Sequence, residues 1–309
     1  MNSITANQAT GASARSFGRE MLNKVPEVTV YFWVIKVLCT TVGETAADLL
    51  NENLGFGLTN TTYVMSALLI AVLIAQFRKR RYVPGIYWLA VVLISIVGTL
   101  ITDNLTDGYG VALQTTTIVF SIVLAAVFAA WYASERTLSI HTIVTTRREA
   151  FYWLAILFTF ALGTAAGDYS AEALNLGFLT SVFIFGGLIA AIALAHFKLK
   201  LNAVLSFWLA YILTRPLGAS IGDYLSQPKA DGGLALGTIL TSVIFLSLIL
   251  ALVVYLSVTK RDLEAVKVSE QELERAEHHH QLRERGHERC PNCGEVLPRR
   301  DLQPLPAQG

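Results

Sequence analysis

The stretch WVIKVLCTTVGETAAD, residues 33–48, decides how the rest of the chain is read, because its outline returns three more times. It opens on Trp33, carries Gly43 ten positions on and closes on Asp48. WLAVVLISIVGTLITD (88–103), WLAILFTFALGTAAGD (153–168) and WLAYILTRPLGASIGD (208–223) keep those three residues in register, as Trp88–Gly98–Asp103, Trp153–Gly163–Asp168 and Trp208–Gly218–Asp223. An aromatic residue precedes each Trp (Phe32, Tyr87, Tyr152, Phe207), and Glu52, Asp107, Glu172 or Gln227 stands four positions past each Asp. Self-similarity at fixed spacing is the mark of a repeat architecture. Equivalent Trp residues are 55, 65 and 55 positions apart, so the halves repeat at 120, the pattern left by an older duplication of a two-repeat unit.

Each copy sits in an apolar run long enough to cross a bilayer, for which about 20 residues suffice. Of 309 residues, 53% are apolar and 15% charged, a composition for a polytopic membrane protein rather than a soluble domain. Eight spans are predicted, at 29–50, 60–77, 84–103, 113–132, 150–168, 178–197, 203–224 and 237–258. The first 25 residues are polar and carry no cleavable signal peptide, so insertion falls to the first span.

The connectors alternate in charge. Arg15, Arg19, Lys24, Arg78, Lys79, Arg80, Arg81, Arg136, Arg147, Arg148, Lys198 and Lys200 make 12 basic residues on one side, against Lys229 alone on the other. The positive-inside rule then puts both termini in the cytoplasm. With two spans each, the repeats enter the membrane in the same orientation and are related by an axis along its normal. The predicted fold is an all-α polytopic bundle of eight transmembrane helices, four parallel two-helix repeats in two pseudo-symmetric halves. Its expected divisions are an N-terminal segment 1–27, a first half 28–140, a second half 141–258 and a cytoplasmic helical tail 259–309.

Over residues 28–258, the four Trp residues with their Gly and Asp partners resemble a family of bacterial integral membrane proteins, uncharacterised and membrane-anchored. These are built of four tandem two-span repeats of unknown function, one Trp per repeat. The resemblance implies the fold and a place in the bacterial inner membrane, and it implies no activity.

Function has to come from the repeated positions. Each Trp falls at the end of an odd span, as an interfacial anchor or a packing residue. Gly ten positions on is about 15 Å deeper by helix rise. There it permits close helix approach or provides a hinge. The four Asp residues lie about 22 Å from the Trp residues. Carboxylates at that depth face a polar cavity or a partner, unless the helices end early and leave them in outer solvent. Positions Trp+3, +7, +11 and +15 form one helical stripe: Lys36, Thr40, Glu44 and Asp48 in the first repeat, Tyr211, Arg215, Ala219 and Asp223 in the fourth. The second and third repeats add Thr99 and Thr164 at +11. Hydroxyls recur at the starts of the even spans as Thr61, Thr116, Ser181 and Ser242, either capping free backbone groups or serving as neutral oxygen ligands.

Charge then discriminates. Five embedded acids (Asp48, Asp103, Asp168, Asp223, Glu44) face two embedded bases (Lys36, Arg215), so protons or a bound cation must offset the remainder. Carboxylates with hydroxyls suit Mg, Ca or Mn. The expectation is a secondary transporter of a divalent metal exchanged against protons. The five acids hold ion or proton, the six hydroxyls support them, and Arg215 and Lys36 compensate charge. The lone thiol Cys39 reads as packing, and Pro216 interrupts the hydrogen bonding of the seventh span.

In the tail, Cys290 and Cys293 form half a zinc ribbon, and His278, His279, His280, His287 or a second subunit would complete a Zn site. The expected partners are the lipid bilayer, the metal ion or proton, and a second copy through the tail. No nucleotide loop, serine triad or metalloprotease motif is present, and the basic residues follow topology, which excludes nucleic acid and argues against an enzyme. The alternatives are a non-transporting scaffold or metal sensor, and a transporter of a small organic substrate.

Overall fold

The computed structural model describes residues 23–262. The tail cysteines and histidines lie outside that range. Eight long helices follow in order: α1 Val30–Asp48, α2 Leu58–Arg78, α3 Pro84–Asp103, α4 Leu113–Glu135, α5 Thr146–Asp168, α6 Phe178–Leu199, α7 Ala203–Ser226 and α8 Thr238–Thr259. All eight are long and apolar enough to cross a membrane. A lipid-exposed backbone must satisfy its own hydrogen bonds, which these apolar runs can do only as helices.

The odd helices form a closed inner ring, α1 against α3, α3 against α5, α5 against α7 and α7 against α1. Each even helix packs outside the odd helix of the next repeat: α2 on α3, α4 on α5, α6 on α7, and α8 back onto α1. Burial follows this division. Between 61% and 78% of each odd span is buried, against 6% to 28% of each even one.

Glycine closes the ring. A Cβ on Gly43 would strike Ser95, one on Gly98 would strike Phe160, one on Gly163 would strike Arg215, and one on Gly218 would strike Thr40. In every repeat, then, the Gly at Trp+10 receives the Trp+7 side chain of the next, and the fourth receives that of the first. Gly57, Gly177 and Gly237 serve differently. They begin α2, α6 and α8 at φ of 74°, 76° and 78°, a region that L side chains rarely enter.

Two features go beyond the predicted spans. α1, α3 and α5 do not end at their Asp residues but continue into π-helical turns, Leu49–Asn53, Asn104–Gly108 and Tyr169–Ala173. Counting those turns, the span expected at 150–168 runs Thr146–Ala173. Pro216 leaves α7 continuous.

The end bearing the basic connectors is closed by a strap, residues 23–28. The backbone of Lys24 donates to Ile143 (3.1 Å), and that of Glu27 to Asp262 (3.3 Å). The Lys24 amine reaches Glu149 at 2.6 Å and the Phe77 carbonyl at 3.2 Å, while Gln76 holds the other Glu149 oxygen at 3.2 Å. All three side chains are buried.

Candidate functional site: an acid cluster above a buried arginine

Because the ring is pseudo-fourfold, equivalent positions stack as layers down its axis. At the basic end is an aromatic layer, in which the residue before each Trp meets the Trp of the next repeat: Phe32–Trp88 (5.7 Å between centroids), Tyr87–Trp153 (5.5 Å), Tyr152–Trp208 (6.3 Å) and Phe207–Trp33 (5.7 Å). Trp88, Trp153 and Trp208 are buried, so these rings pack the core rather than anchor the interface.

Two layers deeper is Arg215, fully buried on α7. Its Nη2 donates to Glu44 Oε2 at 2.8 Å, to Thr164 Oγ1 at 2.6 Å, and to Thr99 Oγ1. Its Nη1 donates to the Thr40 carbonyl at 3.4 Å. The guanidinium therefore ties all four inner helices together, and the Thr99 hydroxyl that accepts from it also donates to Glu44 Oε2 at 3.4 Å. This is the strong kind of bond, since the donor is charged and the surroundings exclude water.

Above Arg215 the acids gather. Carboxylate oxygens of Glu44, Asp168 and Asp223, from α1, α5 and α7, all lie within 4.8 Å of one another. Asp48 and Asp103 belong to the same assembly, for Asp103 has Glu44, Asp168 and Asp48 as like-charge neighbours. Glu44 and Asp223 are buried, while Asp48, Asp103 and Asp168 are half-buried. The acids are thus neither scattered nor each surrounded by solvent. The helices run past them, so the dipole of a true C-terminus bears on them less than an abrupt end would. π-turns after three of them are the kind of local irregularity that often accompanies functional positions.

Lys36 lies elsewhere than at the interface. It is fully buried, with its amine 3.9 Å from the Phe160 ring centroid and 4.2 Å from that of Tyr211. Among the described residues that amine has no hydrogen-bond partner. Three of the four even-helix hydroxyls are engaged with backbone or with a hydroxyl of α1. Thr116 donates to the Ala112 carbonyl at 3.3 Å, Ser181 to that of Gly177 at 3.0 Å, and Ser242 to Thr45 Oγ1 at 2.8 Å. The Thr61 hydroxyl is buried without a hydrogen-bond partner among the described residues. Cys39 is a buried free thiol.

Sequence reasoning missed the Lys24–Glu149–Gln76 network and Asp262, because none of them recurs between repeats. Outside the ring, α1, α6, α7 and the 138–141 connector enclose a mostly apolar cleft of about 700 Å³, with Trp33, Phe207, His141 and His196 in its wall.

These observations define a class, a ring-closed bundle of four two-helix repeats with membrane-embedded acids on its axis. Each repeat is matched by the profile of one family, the Repeat of Unknown Function (DUF347), over residues 31–82, 86–137, 151–201 and 206–262, and the chain belongs to that family. The comparisons found no match among curated proteins and none among solved structures.

Proposed function

We propose that the protein is a secondary transporter of a cation, a divalent metal such as Mn²⁺ exchanged against protons, which binds at the acid cluster. The observation that carries this reading is the convergence of Glu44, Asp168 and Asp223 to within 4.8 Å. Hard cations bind oxygen at about 2.0–2.6 Å, so ligands on opposite sides of one ion lie about 4–5 Å apart. The three carboxylates need not move far to embrace an ion. Arg215 offsets one of them, which leaves the cluster with an excess of negative charge even before Asp48 and Asp103 are counted. Removing that excess by a metal or by protons is the exchange itself.

In this reading the cluster opens toward the acidic connectors, and the aromatic layer and the strap seal the other side. The alternating charge of the connectors supports an orientation with the basic end on the cytoplasmic side of a bacterial inner membrane. The test is Mn²⁺ flux into liposomes holding the purified full chain, followed with a metal-sensitive dye. The wild type moves Mn²⁺ and dissipates a pH gradient, and Asp168→Asn/Asp223→Asn lowers the rate at least tenfold while eluting as a folded protein. An unchanged rate in that double variant rules out the cluster as the binding site. The cleft beside Trp33 and Phe207 has the volume of a small-molecule site and favours the second reading, transport of a small organic substrate. Flux of such a compound, unaffected by the double variant, would decide for it.

A further inference from the structure

The aromatic layer contains a departure from its own symmetry. In the first and fourth repeats the residue before the Trp is Phe32 or Phe207, which shows that the layer packs well without hydroxyls. In the middle repeats it is Tyr87 and Tyr152, both fully buried, with hydroxyl oxygens 2.5 Å apart. One layer deeper, Val91 and Ile156 show that apolar side chains fit at Trp+3, yet the other two positions hold Tyr211 and Lys36. The Tyr211 hydroxyl and the Lys36 amine are buried without a hydrogen-bond partner among the described residues. An unpaired buried polar group is destabilising and calls for a reason.

These exceptions line up. At the basic end the Asp262 carboxyl, closed off from solvent just past α8, has the Tyr82 hydroxyl as an electrostatic neighbour, and neither group has a hydrogen-bond partner among the described residues by distance and angle. The Tyr82 ring packs edge-on against Tyr87 at 5.5 Å. The Tyr87 hydroxyl has those of Tyr152, Tyr211 and Tyr82 as electrostatic neighbours. The Lys36 amine lies on the Tyr211 ring, and Arg215 begins the next layer, one helical turn deeper. The charged or titratable groups around Lys36 are Cys39 on its own helix and Tyr211 and Arg215 on α7. α5 presents the Phe160 ring to it. No carboxylate competes for the amine among its hydrogen-bond or ion-pair partners.

We propose that Asp262, Tyr82, Tyr87, Tyr152, Tyr211 and Lys36 form a proton relay from the basic end of the bundle to the underside of the acid cluster. The proposal rests on the exchange reading above and supplies the path its protons take. Tyr87 and Tyr152 exchange a proton directly across their hydrogen bond, and the transfers to and from the other members, whose polar atoms have no direct partner, pass through bridging water; at each oxygen one O–H bond forms as another breaks. Lys36 receives the proton as an ammonium, the form that the faces of Phe160 and Tyr211 stabilise. Its flexible stem carries the charge across the last turn. Burial raises the Asp262 carboxyl above its ordinary value, which favours the protonated form.

The test uses the full chain in liposomes with Mn²⁺ as the probe and two measurements. One is net Mn²⁺ flux driven by a pH gradient, with internal pH recorded. The other is Mn²⁺ isotope self-exchange at equal pH on both sides, which requires no net proton movement. Tyr152→Phe and Lys36→Met are expected to lower the net flux at least tenfold while self-exchange stays within twofold of the wild type. Tyr87→Phe, which copies the Phe32 and Phe207 side chains of the same layer, stands in for any variant that fails to elute as the wild type does. Unchanged net flux in these variants, with flux abolished in Asp223→Asn, overturns the relay and leaves the acid site standing. Loss of net flux and self-exchange together makes the hydroxyls structural and also overturns it. A wild type inert to Mn²⁺ in both measurements removes the exchange reading and the relay with it.

Discussion

Arg215 and Glu44 are the residues on which the interior depends. A buried ion pair is a weak source of net stability, but removing one partner leaves an uncompensated charge and typically costs about 3–5 kcal/mol. Arg215→Met and Glu44→Met should each lower the midpoint of thermal unfolding in detergent markedly. The double variant should recover much of the loss, because neither charge is then left alone. Strictly additive losses would mean that the 2.8 Å contact is not the interaction that matters. At this scale the sequence was informative wherever position repeated. The four Asp residues and Glu44 were legible because they share one helical stripe, and Arg215 because an acid excess demands a base. Lys36 was legible only as an embedded base set against the acids, whereas its amine has no hydrogen-bond partner among the described residues and lies against two aromatic rings. Its aromatic enclosure comes from Phe160 and Tyr211, on helices whose neighbours no periodicity reveals.

At the scale of helices, the glycine contacts can be separated by substitution. Ala at Gly43, Gly98, Gly163 or Gly218 forces a methyl into the next inner helix, and overpacking of that kind costs about 1–3 kcal/mol. Ala at Gly167 meets only an ordinary 3.6 Å contact, and at Gly187 it meets open space. There the better helix propensity of Ala should leave stability equal or slightly raised. Unfolding midpoints for the six variants check this, and equal losses throughout would remove the ring-closure account of the conserved spacing within the chain. The strap gives a pH prediction. Its Glu27 lies 3.4 Å from His141, and hydrogen bonding to Glu27 raises the His141 pKa above the ordinary 6.5, against the opposing effect of burial. A raised folded-state value means that the contact stabilises fully below about 6.5 and is lost as pH rises through the raised value. His141 is about half exposed, so solvent screening keeps the effect small. Hydrogen exchange at residues 24–30, corrected for intrinsic rates, should be slower at pH 6 than at pH 8, and Glu27→Gln should abolish the difference.

For the whole molecule, composition and alternating basic connectors made the number of spans legible, and the even number per repeat gave their parallel order. The ring itself was not legible. Whether an even helix packs on its own odd helix or on the next one depends on the turn between them, and the hydrophobic pattern is the same in both cases. The ring also joins halves that are alike in shape but not in charge. The first half contributes Glu44 and Lys36, the second Arg215 and Phe160. Two first halves paired with each other would bury two copies of Glu44 without a guanidinium, and two second halves would bury two copies of Arg215 without Glu44. Only the mixed pair completes the contact at 2.8 Å. A chain divided after Arg136, an exposed residue at the start of the connector between α4 and α5, should therefore reassemble as a one-to-one complex when its two pieces are expressed together. Different tags on the pieces make this measurable by sequential affinity purification. Recovery of first-half homodimers in comparable yield would show that shape outweighs charge in closing the ring. Glu44→Gln in the first piece should then shift the balance toward such homodimers only if the acid is what opposes them.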